Sequence, residues 1–142
     1  MLALSIRQPW ASLILSAGKN VENRGWPASV RGRILIHAAA RMTRADHEDA
    51  LAFAVAAIRR DTRNHRTLPR TLREMGMAFE DLPRGGIVGT VEIADCVTGS
   101  DSPWFTGPYG FMLRNPRPLP FVPWRGRLGF FDVPKGLVLI EE

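Results

Sequence analysis

The chain has a single cysteine, Cys96, so no internal disulfide can form, and a reducing cytoplasm is the expected compartment. No apolar run approaches the roughly 18–20 residues that span a bilayer, so no membrane partner is expected. The first ten residues, MLALSIRQPW, lack the basic leader and apolar core of a signal peptide. No glycine-rich phosphate loop ending in Gly-Lys-Ser/Thr occurs, nor a Gly-x-Ser-x-Gly nucleophile turn. His37, His47 and His65 lack metal-ligand spacing with one another or with Cys96, so neither metal nor other cofactor is expected. Lysine is nearly missing as well. Lys19 and Lys135 are the only two among 19 basic residues, which leaves 17 arginines.

That balance is the first positive signal. Net charge is +5 over 142 residues, carried by a side chain whose planar fork suits bidentate phosphate contact and base stacking. A basic, arginine-dominated chain leans toward a polyanionic partner, and composition does not choose between RNA and DNA. Arginine richness also accompanies Ala-, Gly- and Pro-rich composition in general, so charge alone does not define a site.

Patterning predicts one domain over residues 1–142, with an arginine-rich excursion at about 59–84. Leu2, Leu4 and Ile6 alternate with Ala3, Ser5 and Arg7, a strand with one buried face. Pro9 suits a helix start; Trp10, Leu13, Ile14 and Ala17 follow at helical spacing, and Gly18 is placed to end the helix. Residues 33–38, RILIHA, form a second strand. Thr43 caps a helix whose expected apolar stripe is Leu51, Ala54, Val55 and Ile58. Six arginines lie between Arg59 and Arg73, in a stretch too polar for a core element.

GGIVGTVEIADCV, residues 85–97, is the strongest strand signal. Ile87, Val91 and Ile93 share its expected core face, and Gly89 marks a bulge or a close approach. Tyr109, Phe111 and Leu113 alternate in a further strand. Pro116, Pro118, Pro120 and Pro123 read as a linker, followed by strands at 128–133 and 136–141. Strands that do not alternate with helices argue against a doubly wound parallel sheet. The expected fold class is α+β: a small, curled pseudo-β-barrel of five to six strands with two or more packed helices.

GKNVENRGW, residues 18–26, concentrates Lys19, Glu22 and Arg24 in six positions. Strand geometry puts Glu22 and Arg24 on one face with Lys19 leading in. On spacing alone a surface salt bridge, worth under about 1 kcal/mol, is the favoured reading. Cys96 reads as a small packed residue.

The stretch LSIRQPWASLILSAGKNVENRGW, followed by GRILIHAA, resembles the ASCH domain family, which is similar in fold to the RNA-binding PUA domains. The resemblance continues through LPRGGIVGTVEIADCV, SPWFTGPYGFMLRNPRPLP and RGRLGFFDVP, and is weakest over 59–73. It implies a polar cleft lined by the segment that carries Gly18, Lys19, Glu22 and Arg24 and a ligand that is RNA or a modified nucleoside. The candidate binding residues are Arg7, Lys19, Glu22, Arg24, Trp26, His37 and Trp104, with Trp10 assigned to the core.

Some family members are hydrolases, acting on N4-acetylcytidine or on RNA. In a metal-independent hydrolase of this kind, Lys19 and Glu22 would be the catalytic pair. Glu22 stands where the deacetylating members have threonine, and residues 98–104 offer only Asp101 for their separate glutamate. The balance therefore falls toward binding. A third reading, a protein-interaction domain, would use 59–73 and 116–123 as contact surfaces.

Overall fold

In a computed structural model, residues 1–61, 63, 72 and 74–137 are described. Most of the arginine-rich stretch and residues 138–141 of the strand expected at 136–141 therefore lie outside the described residues, while Lys135–Leu137 forms a 3-10 turn instead of the start of that strand. Among the described residues, six strands make one sheet: β1 (Leu2–Ile6), β2 (Val21–Arg24), β3 (Gly32–Ala38), β4 (Gly86–Val97), β5 (Tyr109–Pro123) and β6 (Phe130–Asp132). Their order is β2-β5-β4-β3-β1-β6, with β1 and β3 parallel and every other pair antiparallel. Two α-helices, α1 (Trp10–Ser16) and α2 (Arg44–Arg60), pack beside this curled half-barrel. The α+β expectation is met.

The sheet curls because β4 and β5 fall out of simple register at three places. Each shift inserts residues on one strand only, which bends the ladder and increases its twist. Gly89 sits at one of them. A Cβ there would lie 2.6 Å from both the Arg117 carbonyl oxygen and Leu15 Cδ2. The close approach read from the sequence is therefore real. It also redistributes the face: Val88, Val91 and Ile93 join one core cluster while Ile87 joins another. β1 likewise buries both faces, Leu4 and Ile6 on one side and Ala3 on the other.

The proline run is strand, not linker. β5 continues through Pro116, Pro118 and Pro120 to Pro123, paired with β4 as far as Gly86. Beyond Leu113 its far edge has no strand beside it among the described residues, since β2 covers only Tyr109–Met112. Proline is tolerated there because an open edge needs no donor. Helix α2 starts where expected, with Thr43 Oγ1 accepting from the Asp46 amide at 3.1 Å. Its buried face is rotated, however, to His47, Ala50, Ala54 and Ala57, while Val55 is exposed. The alanines let α2 approach Leu13, Ala17 and Trp104 closely, and its larger side chains flank that contact.

Candidate functional site

The turn after α1 delivers Lys19. Gly18 adopts φ +77°, a conformation that favours glycine, and the Lys19 amide returns to the Leu13 carbonyl at 3.2 Å. Gln8 holds the other end of α1, its Oε1 accepting from the Ser12 amide at 3.0 Å and its Nε2 donating to the Pro83 carbonyl at 2.9 Å. β2 then places Glu22 and Arg24 on one face, as strand alternation requires.

The three charges converge below the surface. Lys19 is 4% exposed and Glu22 7%. Lys19 Nζ donates to Glu22 Oε1 at 3.0 Å and to the Val21 carbonyl. Arg24 Nε donates to Glu22 Oε2 at 3.0 Å, and its Nη2 reaches the Ser5 carbonyl at 2.8 Å. Both carboxylate oxygens are thus satisfied, the condition under which buried charge is tolerated. A solvated surface salt bridge does not describe this arrangement.

Glu22 lies on the wall between two cavities. The larger, about 1050 Å³, takes in Ser5, Arg7, Arg24 and His37, with Arg125 and Arg127 from the loop between β5 and β6. The smaller, about 450 Å³, takes in Lys19 from the turn between α1 and β2, Asp46, Asp49 and Phe53 from α2, and Thr106 from the loop before β5. Arg7, Trp10, Glu22 and Asn23 line both. Asn23 holds the Thr106 loop in place: its Oδ1 accepts from the Thr106 and Gly107 amides at 2.8 and 3.1 Å, and its Nδ2 donates to the Trp104 carbonyl at 2.9 Å.

The tryptophans exchange their expected places. Trp104 is 0% exposed and packed among Leu13, Ala54 and Met77, so its ring has no face to offer a ligand. Trp10 is partly buried and lines both cavities, with Lys19 Nζ 5.5 Å from its ring centroid. Trp26 is exposed beside Arg24 and packs edge-on against Phe111 and Phe130 without lining either cavity. His37 faces the larger cavity but is buried, with Nδ1 2.9 Å from Ser5 Oγ and Nε2 2.7 Å from the Trp124 carbonyl. A carbonyl only accepts, which assigns the proton to Nε2 and leaves Nδ1 to accept from Ser5. Both ring nitrogens are thereby engaged within the fold.

Sequence reasoning did not single out Asn23, Asp46, Asp49, Thr106, Arg41, Arg125 or Arg127. The glycine-flanked arginines in WRGRLG, residues 124–129, were the available signal for the last two. Cys96 is half-buried, its Sγ accepting from the Ala28 amide at 3.5 Å.

A curled mixed sheet with a charged cleft between strand and helix makes this a small α+β domain of the pseudo-barrel type. The family model for the ASCH domain matches residues 4–105, and the chain belongs to that family. β5 and β6, beyond the matched segment, complete the same sheet. The chain is similar to activating signal cointegrator 1 of Homo sapiens, 29% identical over 123 residues, covering 80% of this chain and 19% of that protein. Against activating signal cointegrator 1 of Mus musculus the identity is 31% over 96 residues, covering 67% and 14%. The chain therefore spans less than a fifth of the length of these relatives.

Proposed function

We propose that this ASCH domain binds RNA or a modified nucleoside in the cleft lined by Lys19, Glu22 and Arg24. The observation that carries the reading is the buried Lys19–Glu22–Arg24 array opening onto two cavities with a shared wall. Burying charge this completely adds little stability even when every charge is paired, which supports a use for it beyond stability. A base fits the chemistry: Trp10 supplies an aromatic wall, Glu22 an acceptor for an exocyclic amine, and Lys19 a donor for a ring carbonyl. Both cavities are of the order of small-molecule sites, roughly 300–1,000 Å³. The experiment is equilibrium binding of single-stranded RNA oligonucleotides and nucleosides at low and high salt, wild type against Lys19→Met. Absence of binding by the wild type at low salt overturns the reading.

One observation favours a second reading, a small metal-independent hydrolase in the same cleft. Thr106 lines the smaller cavity together with Lys19 and Glu22, so hydroxyl, amine and carboxylate side chains border one space. The substrate would carry an amide on a cytosine ring, or a phosphodiester. Turnover of N4-acetylcytidine and of short RNA by wild type and by Lys19→Ala tests it. Equal residual rates in the two proteins trace the signal to contamination.

A further inference from the structure

The two cavities differ in charge. Five arginines line the larger one against a single carboxylate, Glu22, which Lys19 and Arg24 already hold. The smaller one sets three carboxylates, Glu22, Asp46 and Asp49, against Lys19 and Arg7. Among the described residues, Arg24, Arg31, Arg33, Arg44, Arg63 and Arg114 each pair with a carboxylate; of the eight arginines that do not, Arg59, Arg60, Arg84 and Arg117 lie elsewhere, which leaves Arg7, Arg41, Arg125 and Arg127. All four of these unpaired, exposed arginines line the larger cavity. Guanidinium groups gathered in a concave space without acidic partners attract an anion and bind it with charge-assisted, bidentate geometry.

Two of the four ride on the loop between β5 and β6, and the fold fixes where that loop sits. His37 donates from Nε2 to the Trp124 carbonyl at the start of the loop, with Ser5 fixing the ring from the other side. Gly126 lies flat on the same imidazole; a Cβ there would come within 2.7 Å of His37 Cε1. Gly129 turns the chain at φ +67° into β6. Between them Leu128 is 99% exposed at the rim of the cavity, an apolar side chain with nothing yet to cover.

We propose that the larger cavity is a phosphate site, so that the ligand is a phosphorylated nucleoside or an RNA strand rather than a free nucleoside. The base enters the smaller cavity, whose acidic wall rejects phosphate. The sugar crosses the shared wall at Trp10. The phosphate meets Arg41, Arg125 and Arg127, and Leu128 closes over the sugar. His37 acts on this ligand only by positioning the arginine loop. The assignment rests on the cleft being a nucleoside site.

The test is calorimetric titration of the full chain with cytidine, cytidine 5′-monophosphate and a cytidine tetranucleotide RNA at two salt concentrations. The monophosphate should bind roughly tenfold tighter than cytidine, a gap that shrinks as salt rises. In the Arg125→Ala/Arg127→Ala protein, checked for folding by circular dichroism, the gap should fall below about threefold. Arg41→Ala, on a different loop, should narrow it independently. A tetranucleotide tighter than the monophosphate identifies the strand as the source of the phosphate, and equal affinity identifies the mononucleotide; either supports the site. Equal binding of cytidine and its monophosphate overturns the phosphate assignment and leaves the nucleoside reading standing. Failure of all three probes to bind overturns both.

Discussion

Lys19 Nζ lies 3.0 Å from Glu22 Oε1 in a part of the molecule almost closed to water. Glu22 is the hub of that array, since Arg24 occupies its second oxygen at 2.9 Å. Removing the hub strands two cations, whereas removing Lys19 leaves Glu22 still paired. Glu22→Gln should therefore destabilise the fold by about 3 kcal/mol, the scale for an uncompensated buried charge. Lys19→Met should cost less, because Arg24 stays on the carboxylate. Urea unfolding at pH 7 of both variants checks the order, and a larger loss for Lys19→Met would contradict the hub assignment.

A second ion pair ties the end of α2 to the α1 turn. Arg63 donates to the Asp61 carboxylate from Nε at 3.0 Å and Nη2 at 2.7 Å, and Nη2 also reaches the Gly18 carbonyl at 3.1 Å. The Arg63 hydrogen bonds hold the Asp61 carboxyl below its usual range, against burial, which pushes it up. A carboxyl lowered on folding contributes stability above its unfolded value, about 3.9, and loses it as pH falls through the lower folded value. Asp61→Asn should cost about 1 kcal/mol at neutral pH, since Arg63 is half exposed. The gap between wild type and variant should close below about pH 4. Denaturant midpoints at pH 7 and pH 3 decide it: a gap of constant size would remove the linkage.

Gly89 carries the bend between β4 and β5. A methyl group there meets the Arg117 carbonyl oxygen, which is backbone and cannot swing away, and Leu15, which can. Gly89→Ala should destabilise by roughly 1–3 kcal/mol, the usual cost of overpacking. Thermal unfolding of the variant measures it, and an unchanged midpoint would mean that the strands separate there without strain.

These elements show why the fold was more legible than the site. β1 announces itself through two-residue alternation, β3 and β4 through short apolar runs, and α1 through Pro9, its apolar spacing and Gly18, because those signals are local. The β5 prolines misled, since a proline's meaning depends on whether its nitrogen faces a neighbouring strand, which only the sheet order reveals. Trp10 and Trp104 exchanged roles for a similar reason: helical spacing places Trp10 on an apolar stripe but does not say that a cavity opens beside it. Lys19, Glu22 and Arg24 were legible because they are close in sequence. Asp46, Asp49, Thr106 and the loop arginines reach the same cleft from distant segments, and no local pattern connects them.

The prolines themselves make a prediction. Pro116 and Pro118 stand two apart on β5, so their nitrogens face one edge, and beyond Leu113 β5 has an edge with no partner strand among the described residues. An edge without N–H donors is a poor template for an incoming strand. Pro116→Thr/Pro118→Thr restores two donors and should raise the concentration-dependent apparent mass relative to wild type. Light scattering coupled to size exclusion reads the change, and identical profiles across a tenfold concentration range would show that the edge is protected by something other than proline.

Gly126 connects the fold to the proposed chemistry. A Cβ there would sit 2.7 Å from His37 Cε1 and 3.1 Å from Ser5 Oγ, so Gly126→Ala has to lift the arginine loop off the imidazole or turn the imidazole away. Either movement strains the bond from His37 to the Trp124 carbonyl and displaces Arg125 and Arg127 from the cavity rim. The loop lies at the surface, so the stability cost should stay within about 1 kcal/mol. The effect on ligand should be larger and selective: the advantage of cytidine 5′-monophosphate over cytidine should fall several-fold, because a guanidinium moved by an ångström loses its bidentate geometry. Titration of both ligands, with a melting curve on the same sample, separates the two effects. A preserved advantage in a normally folded Gly126→Ala protein would detach phosphate recognition from the position of this loop.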